Sequence, residues 1–149
     1  MALDKPYKNL PGTTLFDAEQ SRLGYWLNQF CMSLMKADNR KRFLADEKAY
    51  LDEWDMTEDQ KQAVMDRDLN RCISLGGNIY FLAKIGATDG KSFQQMADSM
   101  TGMTEDEYRD MMVNGGRSIE GNRRLGEDGD AQPQNQPQGS QSTDTGKEG

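Results

Sequence analysis

Apolar residues recur at three- and four-residue steps along most of this chain, in short stretches cut apart by glycines and capping residues. That is the period of an amphipathic α-helix. Residues 1–13 are expected to be an extended arm, because Pro6 and Pro11-Gly12 oppose helix there. A first helix is expected to start near Asp17, with Leu23, Trp26, Leu27, Phe30, Cys31 and Leu34 on one broad apolar face. Gly24 inside it costs about 1 kcal/mol relative to alanine and reads as a close helix contact. A second helical stretch runs from about Asn39 to Trp54, with Phe43, Leu44, Tyr50, Leu51 and Trp54 in phase. Thr57 and Gln60 have the spacing of a capping box. They open a third helix with Ala63, Val64, Arg67, Leu69 and Ile73 near its core face, and Gly76-Gly77 ends it.

Residues 78–85 are apolar and short, which suits a buried helix or a strand equally well. Helices on both sides and no partner strand elsewhere favour a short buried helix. Residues 91–100 are expected to be helical, with Phe93, Met96, Ala97 and Met100 inward. Thr104 and Glu107 form a second capping-box pattern, for a helix through about Val113 that Asn114-Gly115-Gly116 stops. From Gly126 onward Gln, Gly, Ser, Asp and Pro dominate, and no large apolar residue follows Leu125. Such a segment cannot bury enough surface to offset its ordering entropy. The expected architecture is therefore all-α. An irregular bundle of about five to seven short helices over 14–125 follows the arm, and a disordered acidic tail occupies 126–149.

Composition narrows the chemistry. The 149 residues contain no histidine. Ser-His and Cys-His nucleophile pairs thereby lose their base, and non-haem iron and most catalytic zinc sites lose their imidazole ligands. The net charge of −7 and the pI near 4.6 argue against a nucleic-acid surface. No apolar run reaches the ~18 residues that a membrane span needs, and the N-terminus has no secretory h-region. Cys31 and Cys72 sit in apolar helical patterns and read as buried thiols of a cytoplasmic protein, with a disulfide as the alternative. Trp26, Phe30, Trp54, Tyr80 and Phe81 read as core at helical spacing rather than as a ligand site. Met32, Met35, Met96, Met100, Met103, Met111 and Met112 either fill gaps in a core or form an adaptable contact surface. The glycine pairs match neither a dinucleotide fingerprint nor a P-loop.

Several strings point further. They are Gly24-Tyr25, Asn28-Gln29-Phe30-Cys31-Met32-Ser33-Leu34-Met35-Lys36, Asp46-Glu47, Tyr50-Leu51-Asp52-Glu53-Trp54, Gly76-Gly77-Asn78-Ile79-Tyr80-Phe81-Leu82, Thr88-Asp89-Gly90-Lys91-Ser92-Phe93-Gln94, Ser99-Met100-Thr101-Gly102-Met103-Thr104 and Gly115-Gly116-Arg117-Ser118. In this order, over roughly residues 11–120, they resemble the α (small) subunits of the protocatechuate 4,5-dioxygenase family of class II extradiol enzymes. The resemblance implies a catalytic β subunit that binds iron(II) through two histidines and a glutamate. It implies an α2β2 assembly in which this chain is a lid over the β site and binds no metal itself. The implied reaction is extradiol cleavage of protocatechuate, an aromatic catechol, to 4-carboxy-2-hydroxymuconate semialdehyde. In the related gallate dioxygenases an α-like domain is fused to the β-like chain. Lys91, Ser92 and Phe93 fall where the family has its substrate entrance, so Phe93 is expected to shape the pocket wall, ordinary helix core being the alternative. The competing readings are a stand-alone helical adaptor for another protein, a subunit for gallate or another catechol, and, least supported by the residues, an independent enzyme.

Overall fold

A computed structural model describes residues 4–117, and those residues contain nine α-helices and no strand. The expected tail, and the boundary expected at 126, lie outside the described residues. The helices are α1 (Ala18–Leu23), α2 (Tyr25–Ser33), α3 (Ala37–Ala45), α4 (Glu47–Asp52), α5 (Glu58–Met65), α6 (Leu69–Ser74), α7 (Ile79–Thr88), α8 (Phe93–Thr101) and α9 (Glu105–Val113). The all-α reading holds, and three expected helices each divide in two. Gly24 separates α1 from α2. Asp46 leaves the helical region (φ −154°, ψ 92°) and caps α4 through its side chain, so one stretch becomes α3 and α4. Arg67 takes a left-handed conformation (φ 55°) and breaks the third stretch into α5 and α6. The ambiguous segment is α7, capped by Asn78, whose side chain accepts from the Tyr80 N–H at 3.0 Å.

The arm carries one 3₁₀ turn, Pro6–Asn9. It is tied to the first helix through Asp17, which accepts from Lys5 Nζ at 3.1 Å and Tyr7 Oη at 2.9 Å while capping α1. Helix α2 is the central element. It packs along α7, and its Leu27, Phe30 and Cys31, with Leu34 at its C-cap, are all buried. Phe30 meets Phe43 (ring centroids 5.2 Å), Tyr50 (5.9 Å) and Trp54 (6.5 Å), an aromatic cluster that joins α2 to α3 and α4. Leu51, Val64, Cys72, Leu82, Ile85 and Met96 bring α4, α5, α6, α7 and α8 onto the same core.

The contact predicted at Gly24 is a backbone-to-backbone one. A Cβ there would lie 1.8 Å from the Gly76 oxygen, and a Cβ on Gly76 (φ 97°) would lie 2.3 Å from the Gly24 nitrogen. Buried Asn28 seals the junction. Its Nδ2 donates to the Gly76 carbonyl at 3.0 Å, and its Oδ1 accepts from the Asn78 N–H at 2.9 Å. Gln60, besides completing the Thr57 capping box, donates to the carbonyls of Leu23 and Leu75, both at 3.0 Å. These side chains satisfy backbone groups that three helix ends would otherwise leave orphaned in the interior.

The aromatic and methionine readings divide. Phe30 is buried, and Trp54 and Phe81 are half-buried against the core. Trp26 and Tyr80 are exposed. Trp26 stands edge-on to Tyr25 on the outer side of α2, because the apolar arc of that helix is wider than the arc its neighbours cover. Tyr80 lies about 200° around α7 from buried Leu82. Met96 is core and Met100 packs against it, whereas Met32, Met35 and Met112 face outward. Cys31 and Cys72 are free and buried.

Candidate functional site

The segment from Asp89 to Phe93 joins α7 to α8, and its shape follows from two end motifs. Helix α7 closes in a Schellman motif. The Lys91 N–H donates to the Gly86 carbonyl at 2.9 Å and the Gly90 N–H to Ala87 at 3.1 Å. That motif requires a left-handed residue after the cap, and Gly90 (φ 75°) supplies it. Helix α8 then opens in a capping box that the sequence reading missed. The Gln95 N–H donates to Ser92 Oγ at 3.1 Å, and the Ser92 N–H to Gln95 Oε1 at 2.9 Å. The Ser-x-x-Gln spacing was the available signal. Lys91 and Ser92 are thus held between two hydrogen-bonded motifs, and Phe93 is the first residue of α8.

Phe93 points outward. Its side chain is 64% exposed, which corrects the inward placement expected from the periodicity. The inward placement holds for Met96, which is buried, and for Met100, which packs against the core, and Asp98 is the other buried residue of α8. Gly86 allows this close seating, since a Cβ there would lie 2.0 Å from Met96 Sδ. With Ala97, one turn on, Phe93 forms one wall of an open groove of about 400 Å³. Gln94 of α8 also lines it, and Tyr108, Arg109, Met112 and Val113 of α9 form the other wall. The two walls were legible only as i, i+4 pairs, Phe93 with Ala97 and Tyr108 with Met112. Their meeting depends on the turn at Gly102 (φ 70°), where α8 gives way to α9. Met112 and Val113 are 55% and 79% exposed, and α9 buries no residue of its own. Large apolar side chains gathered in water are a feature of surfaces used in binding.

The chemistry open to this surface is limited. The Ser92 hydroxyl is committed to its cap, and no imidazole exists to activate it. The two thiols are not available as nucleophiles. Burial pushes the Cys72 thiol up to about 12, and burial together with nearby Cys72 raises Cys31 further. Among the described residues no three of His, Cys, Asp and Glu converge as metal ligands. The imidazole half of an iron(II) dioxygenase donor set therefore has no source in this chain, and its residues do not fit that metal. What the arrangement can do is pack an apolar edge against a flat ring and exclude water around it. No helix of the described residues is long and apolar enough to cross a membrane.

Comparison with known proteins agrees with the order of motifs. Residues 27–113 match the family model described as aromatic-ring-opening dioxygenase LigAB, LigA subunit. The match starts in α2 and ends with α9, so it includes the core and both walls of the groove. A gallate dioxygenase of Pseudomonas putida (strain KT2440) is 29% identical over 101 residues, which cover 68% of this chain and 30% of the relative. The chain thus spans less than a third of that relative's length. With more than half of its residues inside the family model, this chain belongs to the LigA subunit family of the LigAB aromatic-ring-opening dioxygenases.

Proposed function

We propose that this chain is the non-metal-binding α subunit of an extradiol dioxygenase. It closes the α8–α9 face over an iron(II) site held by a catalytic β subunit, in a cytoplasmic α2β2 assembly. The observation that carries the reading is the family match over residues 27–113. The lack of histidine supports the same division of labour, because the iron must then take its imidazole ligands from a companion chain. The exposed phenylalanine beside an apolar groove supports the lid role. Phe93 supplies a rigid face for a catechol ring and Met112 an adaptable one, and together they exclude water from the chamber. Lys91 and Ser92 set the start of α8 and so the direction of Phe93.

The substrate proposed is protocatechuate, opened beside its hydroxyls to 4-carboxy-2-hydroxymuconate semialdehyde. The similarity to a gallate dioxygenase supports a second reading, in which a catechol with a third ring hydroxyl is preferred. Co-expression with a histidine-bearing β-like chain tests both. A stable heteromer is expected, and Phe93→Ala is expected to lower kcat/KM about tenfold on the preferred catechol and to change the ranking of protocatechuate and gallate. An unchanged kcat/KM on every catechol would remove Phe93 from the entrance. Failure to form a heteromer would favour the adaptor reading.

A further inference from the structure

Arg67 stands out on the far side of the α7–α8 connection. It is the non-glycine with positive φ (55°) among the described residues, a conformation that persists only where the surroundings hold it. Its side chain supplies that hold, since every guanidinium N–H finds an acceptor. Nε donates to Asp89 Oδ2 at 2.7 Å and Nη2 to Asp89 Oδ1 at 3.1 Å. Nη1 donates to Glu47 Oε2 at 3.1 Å and to the Val64 carbonyl at 2.7 Å, and Nη2 also donates to Glu47 Oε1. The plane lies over the Phe43 ring, 5.2 Å from its centroid. Burial pulls the guanidinium's pKa down, and the two carboxylates more than restore it.

Asp89 is the telling partner. It is the C-cap of α7, where a carboxylate faces the negative end of the helix dipole. Nothing local favours an acid there, so its use lies in the bidentate pair with Arg67. Asp89 is followed directly by Gly90, Lys91, Ser92 and Phe93. The clamp thus ties the front of the proposed lid to α4 and α5, elements remote from it in sequence.

We infer that Arg67 is a positioning residue, which fixes the Lys91–Phe93 segment against the bundle and so sets how closely that segment closes over the partner's site. The inference rests on the lid reading for its functional half and on geometry for its structural half. Lysine cannot replace the fork, because an ammonium cannot bridge two carboxylates and a carbonyl in one plane.

Hydrogen exchange on the full chain tests the structural half without any partner. In R67K and in D89N the Lys91 and Ser92 amides are expected to exchange about tenfold faster, while the α2 amides stay unchanged. Exchange that rises equally in α2, or that stays unchanged at Lys91 and Ser92 in both variants, overturns the inference. In the assembled enzyme, R67K and D89N are expected to raise KM about fivefold with kcat within about twofold. A fall in kcat and assembly with no change in KM would mean a merely structural role, and would overturn it too. If F93A alters kinetics while R67K and D89N alter neither exchange nor KM, the clamp fails and the lid reading stands. If F93A is silent while exchange responds as expected, the lid reading fails and the clamp stands.

Discussion

At the scale of single residues, contacts too close for a side chain set the sharpest constraints. Gly24→Ala is expected to destabilise the chain by about 2–3 kcal/mol, because the new methyl must displace the Gly76 carbonyl and with it the Asn28 bridge. Gly90→Ala meets nothing within 4 Å and should cost only the left-handed strain, about 1 kcal/mol. Urea midpoints of the two variants measure the difference, and equal losses would refute the account of the α2–α7 junction. The thiols give a pH prediction. Burial raises Cys72 from its ordinary 9.0 to about 12, so above pH 9 the unfolded chain holds fewer protons than the folded one. Stability should therefore fall from about pH 9 toward pH 12 and be unaffected by this thiol below pH 8. Native protein should also stay inert to a thiol reagent until urea exposes both cysteines. What the residues alone revealed matches this scale. Gly24 was legible as a close contact, since a helix-interior glycine needs a reason. Arg67 was not, because its partners Glu47 and Asp89 lie 20 and 22 residues away and no local pattern names them.

At the scale of elements, the caps decide where helices begin. The boxes at Thr57 and Thr104 stand where their spacing predicted. Asp46 was hidden inside an unbroken apolar period, so α3 and α4 read as one helix until the cap divided them. Phe93 shows the limit of periodicity in another way. The first residue of a helix lies at the rim, where the core arc has not yet formed, and the same three-to-four spacing no longer means burial. Thr57→Ala should destabilise by about 1 kcal/mol, measured as a shift in the urea midpoint, since α5 loses its N-cap acceptor. Helix α9 buries no residue and packs on α8. Its amides should exchange far faster than those of α2 in the isolated chain, and gain protection in the proposed heteromer. Equal protection of α2 and α9 in the isolated chain would show that the groove walls are held from within.

At the scale of the whole molecule, a helical bundle of this size is closed by one core, while Phe93, Met112 and Val113 at the α8–α9 end are left facing water. Order along the chain made the family legible, and the missing imidazole is what suggests the proposed division of labour. The groove was not legible, because it exists only once the turn at Gly102 sets α9 beside α8. The most direct measurement is ring-cleavage turnover in three samples given iron(II) and protocatechuate: this chain, the β-like partner, and the two together. This chain by itself should neither retain iron(II) nor open the ring, and its addition should raise kcat/KM of the partner severalfold. Ring opening by this chain alone, or a partner whose turnover is indifferent to it, would contradict the account.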